Sequence, residues 1–148
     1  TKTALITDGL SNTAAFSESM IGPGVAPPNG TPPPDPRMVI LQVAGGNDPT
    51  PADCDGMNGV WIATRGGQWI NGHFGHTLYN HFYTPNPSKW DCGNGSGNKA
   101  LATARSYHSG GINLLLGDGS VRFVQNGITS TTWRALATRA DGEVIGEY

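Results

Sequence analysis

Seven of the fifteen residues from Gly22 to Pro36 are proline. Proline has a fixed φ and no backbone N–H, so neither a helix interior nor a central strand can run through this stretch. It reads as an extended, stiff loop. Two uses fit it: a solvated connection, or a Pro-rich ligand for a partner's groove. The same bias runs through the whole chain. Gly and Pro supply 33 of the 148 residues, and charged residues only 14%. Ordinary domains hold about 12% Gly plus Pro and about 25% charged residues. This balance excludes a helical bundle, a coiled coil and a charge-driven disordered tail. It favours short strands joined by turns.

The remaining composition narrows the partners. Net charge is −2 with no basic stripe, which argues against generic nucleic-acid binding. Apolar runs reach only about five residues, so no segment of this sequence spans a bilayer. No signal-peptide pattern opens it. The expected fold class is α+β, mostly β, in a single domain over residues 1–148. Short antiparallel strands would alternate with long Gly/Pro-rich loops, with one helix near the C-terminus.

Local patterns place the elements. Thr3–Thr7 and Thr13–Glu18 read as short strands. Met38–Val43 is a continuous apolar run, as a fully buried strand requires. Gly59–Thr64 is another strand. Residues 44–58 and 65–99 read as loops, the second long, ordered and rich in Gly, Asn, His and aromatics. Asp118-Gly119 lies between two apolar runs, the pattern of a two-residue hairpin turn. That turn would set Leu116 opposite Val121 and Leu114 opposite Phe123, all four in the core, with Leu115 and Arg122 on the other face. Residues 130–139 read as a helix capped by Ser130, with Trp133, Leu136, Ala137 and Ala140 on one stripe. Asp141-Gly142 ends it, and Glu143–Tyr148 returns as a last strand.

Several groups offer chemistry. Cys54 and Cys92 lie in polar, Gly-rich sequence and form no C-x-x-C pair. They read as one disulfide, worth roughly 3–4 kcal/mol in the chain-entropy model, and so as a mark of an oxidising, extracytoplasmic compartment. His73, His76 and His81 have spacings that allow a shared zinc or copper ion. The alternative is a set of surface and half-buried histidines. Asn47, Asp48, Asp53 and Asp55 offer oxygens for Ca²⁺, without EF-hand spacing. Trp61, Trp69 and Trp90 offer stacking faces for sugars, or else core packing. The carboxylates Glu18, Asp53, Asp55, Asp91 and Asp118 are not paired by spacing, so no glycosidase couple is legible. His108 and Asp118 invite a catalytic dyad. Ten residues of strand span roughly 33 Å, however, so the two meet only if the chain reverses at Gly110-Gly111. The bland reading has His108 fixing the strand entry and Asp118 making the turn.

His108, nine residues, then Asp118-Gly119 resembles the C-terminal signature of a planctomycete family of prepilin-like proteins. That family carries a domain of unknown function, also labelled solute-binding-like or pseudopilin-G-like. Ile6-Thr7-Asp8-Gly9-Leu10-Ser11-Asn12-Thr13 followed by Glu18 is similar to its N-terminal segment. The Arg65–Gly72 block, Tyr79-Asn80, and Pro85-Asn86-Pro87 before Cys92 resemble its central block. Trp133–Arg139 with Gly142-Glu143-Val144 resembles its closing block. The resemblance implies an envelope or secreted location and a β-rich pseudopilin-like head. Family members begin with a pilin-type signal and a long apolar helix, which this sequence lacks. The first half of their usual globular region is also missing.

Three functions follow as expectations. The leading one is a non-enzymatic head that assembles, self-associates or binds a protein partner. The alternatives are a secreted hydrolase acting on polysaccharide, and a small module that binds metal or glycan.

Overall fold

The apolar run before Asp118 folds as its alternation dictates. Ile112, Leu114 and Leu116 point inward and are almost fully buried. They belong to the central strand of a three-stranded antiparallel sheet, in the order Ala14–Ser17 (β1), Gly111–Leu116 (β6), Val121–Gln125 (β7). A second sheet has four strands, in the order Gly59–Ile62 (β3), Ile40–Val43 (β2), Asp91–Gly93 (β4), Ala100–Leu101 (β5). This is a computed structural model that describes residues 2–143, 145, 146 and 148. The strands are β1 (Ala14–Ser17), β2 (Ile40–Val43), β3 (Gly59–Ile62), β4 (Asp91–Gly93), β5 (Ala100–Leu101), β6 (Gly111–Leu116) and β7 (Val121–Gln125). The helices are α1 (Pro51–Asp55) and α2 (Ser130–Ala135). The chain is thus α+β and mostly β.

Each sheet has its own core. Ile112, Leu114, Leu116, Val124, Trp133 and Leu136 cluster under the first. Val39, Leu41, Val43, Trp61, Cys92 and Leu101 cluster at the second. The Cys54–Cys92 disulfide forms and ties α1 to β4, with Cα atoms 5.7 Å apart. One pairing departs from the expected antiparallel pattern: β2 and β4 run parallel.

The hairpin register differs from the two-residue turn. Leu114 faces Arg122, Leu115 faces Val121 and Asn113 faces Phe123. The loop has three residues. Gly119 N–H donates to the Leu116 carbonyl at 3.0 Å, and Leu116 N–H to the Ser120 carbonyl at 2.9 Å. Gly119 takes φ 88°, as a bulged three-residue loop requires. A tertiary contact selects this loop: the Gly117 and Asp118 N–H groups donate to the Thr13 and Leu10 carbonyls. The extra residue slips β7 by one position, and a one-residue slip exchanges the faces of a strand. Val121 and Phe123 therefore point outward, 62% and 49% exposed, and Val124 takes the core position.

Other expectations shift for local reasons. Thr3–Leu5 forms a 3₁₀ turn in place of a strand. The stretch read as loop around residue 50 contains α1. Its Thr50 and Asp53 side chains form a reciprocal capping box, and Pro51 sits at the first turn. The cap of α2 is Thr129, whose hydroxyl accepts from Thr132 N–H, and the helix ends at Ala135. Trp133 and Leu136 are buried as expected, whereas Ala137 and Ala140 are exposed. Within the expected last strand, Val144 and Glu147 lie outside the described residues, and its other residues carry no strand.

The Pro-rich segment is docked rather than merely solvated. Gly22 N–H donates to the Arg65 carbonyl and Gly24 N–H to the Ala63 carbonyl, at 2.8 and 2.9 Å. At its far end Asp35 binds Arg37 and Tyr107, and the Arg37 guanidinium lies 4.0 Å from the Tyr107 ring centre. The arginine's hydrogen bond outweighs partial burial and holds the Asp35 carboxyl at about 2.

Candidate functional site

β1 ends at Ser17, one residue before Glu18. The chain leaves the sheet there, and the Glu18 carboxylate takes up the ladder where the backbone stops. Its Oε2 accepts the Asn113 N–H at 2.7 Å. Its Oε1 accepts from the Asn113 amide at 3.1 Å and lies 2.9 Å from His108 Nε2. Because a carboxylate only accepts, Nε2 carries the proton that the imidazole donates. Both side chains remain reachable from solvent, at 53% for His108 and 30% for Glu18. Burial raises the Glu18 pKa, but the hydrogen bonds from Asn113 and His108 outweigh it, and the carboxyl sits below its usual value.

This geometry reassigns the dyad. The carboxylate that meets His108 is Glu18, and Asp118 stays at the far end of β6. There its Oδ1 accepts from the Ser120 N–H and hydroxyl, at 2.9 and 2.7 Å. Those bonds lower the Asp118 pKa. Asp118 and Gly119 thus shape the hairpin, and His108 stands at the entry to β6.

Beside Glu18 lies the outer face of the three-stranded sheet. Phe16, Leu115 and Val121 form one row across β1, β6 and β7. Phe123 adjoins them, its ring 6.5 Å from His108 and edge-on to it. Phe16 is 71% exposed. This apolar row, rimmed by the Glu18–His108–Asn113 cluster, is the candidate site.

The other expected groups lie elsewhere. His73 and His76 sit together, with ring centres 5.6 Å apart. His81 is buried and stacks on Trp133 at 3.7 Å. Among the described residues no three His, Cys, Asp or Glu side chains gather as a metal would need, so the three-histidine set is not assembled. The reason is that Trp133 claims His81 for the core of the first sheet. Of the proposed Ca²⁺ oxygens, Asp53 caps α1, Asp55 pairs with Lys89, and Asp48 pairs with Lys99. Asn47 and Asp48 border an open depression with Asp53. Trp61 is in the core, Trp90 packs edge-on against it, and Trp69 stands 81% exposed at a loop tip beside Ile70.

Sequence reading missed one buried cluster. Arg65 and Arg105 both bind the Asp91 carboxylate, with all three side chains at 1% exposure or less. Arg105 also donates to the Pro87 and Lys89 carbonyls, at 2.8 and 2.6 Å, and Arg65 Nε to the Ser19 hydroxyl at 3.0 Å. The cluster fixes the course of the long 65–99 region. Its only signal in the sequence was three ordinary charged residues with no spacing in common.

Fold and site together define a two-sheet, mostly β fold with an apolar sheet face beside a carboxylate–imidazole pair. The chain belongs to the DUF1559 family, described as a protein of unknown function, whose family model matches residues 1–131. Comparison with curated proteins and with solved structures gives no significant match in either set.

Proposed function

We propose that this protein is an extracytoplasmic, non-enzymatic head that docks a protein partner on the outer face of β1-β6-β7. The observation that carries the reading is the apolar row of Phe16, Leu115 and Val121 with Phe123 beside it, in which Leu115 is half-buried and the other three are exposed. Contiguous apolar surface of this kind is costly to leave in water and marks interaction sites. The partner that fits presents an apolar ridge to the row and polar groups to Glu18 and His108 at its rim. The Cys54–Cys92 disulfide supports an oxidising compartment. Among the described residues no helix is long and apolar enough to cross a membrane. The resemblance to pseudopilin-like heads supports a role in assembly or surface attachment. Hydrogen bonds between the two sheet regions, such as Asn86 to the Gly111 carbonyl, support one domain over the chain.

Site-specific photo-crosslinking in intact source cells tests this. A probe at Phe16 should give one adduct of defined mass, and a probe at Val25, which is 80% exposed on the Pro-rich segment, should not. Equal yields at both positions, or no adduct at Phe16, would overturn the reading.

A second reading, a secreted hydrolase acting on glycans, draws on the Glu18–His108 pair, which has the geometry of an oriented base. Turnover on a glycan and ester panel that His108→Ala abolishes, with the fold intact, would establish it instead. Turnover lost only on adding a chelator would point to a metal module at the histidine loop.

A further inference from the structure

Four strands form the edges of the two sheets: β1 and β7 of one, β3 and β5 of the other. Two of them are covered by the chain itself, and a third is flanked by it just past its end. β1 donates the Ala14 N–H to the Leu136 carbonyl, and the Glu18 carbonyl just past it accepts the Arg105 N–H. Just past the end of β3, the Ala63 and Arg65 carbonyls accept from the Gly24 and Gly22 N–H groups of the Pro-rich segment. β5 is capped by Asn80, whose amide donates to the Ala100 carbonyl at 2.6 Å and whose backbone pairs with Ala102.

β7 is treated differently. The bonds joining Leu116 to Ser120 and Asn126 to Gly110 fix the alternation of the ladder. Arg122 and Val124 therefore turn their backbone groups toward β6, and Val121 and Phe123 turn theirs away from it. Among the described residues those outward N–H and C=O groups have no partner. The strand has little of the usual edge protection. It holds no proline and no lysine, and its one charged side chain, Arg122, on the Val124 side of the strand, is folded over the Tyr148 ring.

We infer that β7 pairs antiparallel with β7 of a second copy, about a two-fold axis at Phe123. A second copy fits because the edge is self-complementary. With the axis at Phe123, each Val121 meets the other copy's Gln125, each Arg122 meets Val124, and the two Phe123 residues meet each other. No like charges are opposed, and the central contact is an aromatic cross-strand pair. The two three-stranded sheets become one of six strands, and the apolar rows of both copies run on continuously across its outer face. The inference concerns the sheet edge and stands apart from partner docking on the face.

The experiment is cysteine crosslinking of the full chain with Cys54–Cys92 left intact. Opposed residues in such a pair have Cα atoms about 5.5 Å apart, within reach of a disulfide. Phe123→Cys should form a covalent dimer on mild oxidation, and Phe16→Cys should not. Sedimentation should show the unmodified chain passing to a dimer as concentration rises, and Phe123→Lys should weaken that dimer at least tenfold while its far-UV circular dichroism stays native. A chain that remains monomeric at every concentration overturns the inference, as does a dimer that Phe123→Lys leaves unchanged. Phe16→Ser separates the two readings, since it should abolish partner crosslinking and leave the dimer intact.

Discussion

His108 Nε2 lies 2.9 Å from Glu18 Oε1, across ninety residues of sequence. The same carboxylate holds the Asn113 N–H, so one charged group serves as both strand cap and imidazole partner. Its hydrogen bonds keep the Glu18 pKa below 4.5. A carboxyl lowered by folding stabilises fully above its unfolded pKa, and that contribution is lost as pH falls through the lowered folded value. Protection of the Asn113 amide, corrected for intrinsic exchange, should hold down to about pH 4.5 and decline below it. In Glu18→Gln that decline should vanish. The same decline in both proteins would refute the cap.

His81 sets a second pH dependence. It is buried between Tyr79 and Trp133, and its Nδ1–H donates to the Trp133 carbonyl. Burial disfavours the imidazolium, and although the Trp133 bond opposes this, the pKa falls to about 4. The unfolded chain binds this proton near the usual value of 6.5, and the folded chain does not until about 4. Stability should therefore be full above pH 6.5 and fall by a few kcal/mol as pH drops toward 4. Urea midpoints between pH 7 and 4 should show that slope, and His81→Phe, which keeps an aromatic against Trp133, should flatten it.

The sequence carried the parts whose signal is local. The apolar run at Met38–Val43, the alternation in Ile112–Leu116 and the Trp133/Leu136 stripe all place their residues in the cores. The two cysteines were legible from their polar neighbours and form the disulfide. Choices made by tertiary contact were not legible. The hairpin loop is set by the Leu10 and Thr13 carbonyls, more than a hundred residues away in sequence. Strands as short as Asp91–Gly93 and Ala100–Leu101 have no room for a period. Glu18 found His108 because β1 pairs with β6, a long-range event that no spacing encodes.

Asp91 should be the most sensitive charged position. Two buried guanidiniums share its carboxylate, and removing it leaves both unpaired away from water. Breaking such a group costs about 3–5 kcal/mol, whereas replacing the whole group by apolar residues can be nearly neutral. Asp91→Ala should therefore destabilise more than the triple variant Arg65→Met, Asp91→Leu, Arg105→Met. Denaturant unfolding of both variants gives the order. A triple variant weaker than Asp91→Ala would mean that the arginines support the 65–99 region mainly through their carbonyl bonds.

The hairpin gives the most direct test of register. Gly119 holds φ 88°, where an L side chain costs about 1–2 kcal/mol, so Gly119→Ala should lower stability by about that much. Deleting Gly117 should behave differently. It leaves Asp118-Gly119 as a two-residue loop between Leu116 and Ser120, and these two are already joined by a ladder bond. Every pair in β6 and β7 is then preserved, with Val124 still in the core and Phe123 still outside. The deletion loses the Gly117 N–H bond to the Thr13 carbonyl, worth about 1 kcal/mol. Nuclear Overhauser contacts across the strands would report the outcome. Asn113 opposite Phe123 is expected in the deletion variant as in the native chain. Leu114 opposite Phe123 would mean that a three-residue loop re-forms from Asp118, Gly119 and Ser120, so that loop length, rather than the strand pairing, sets the register.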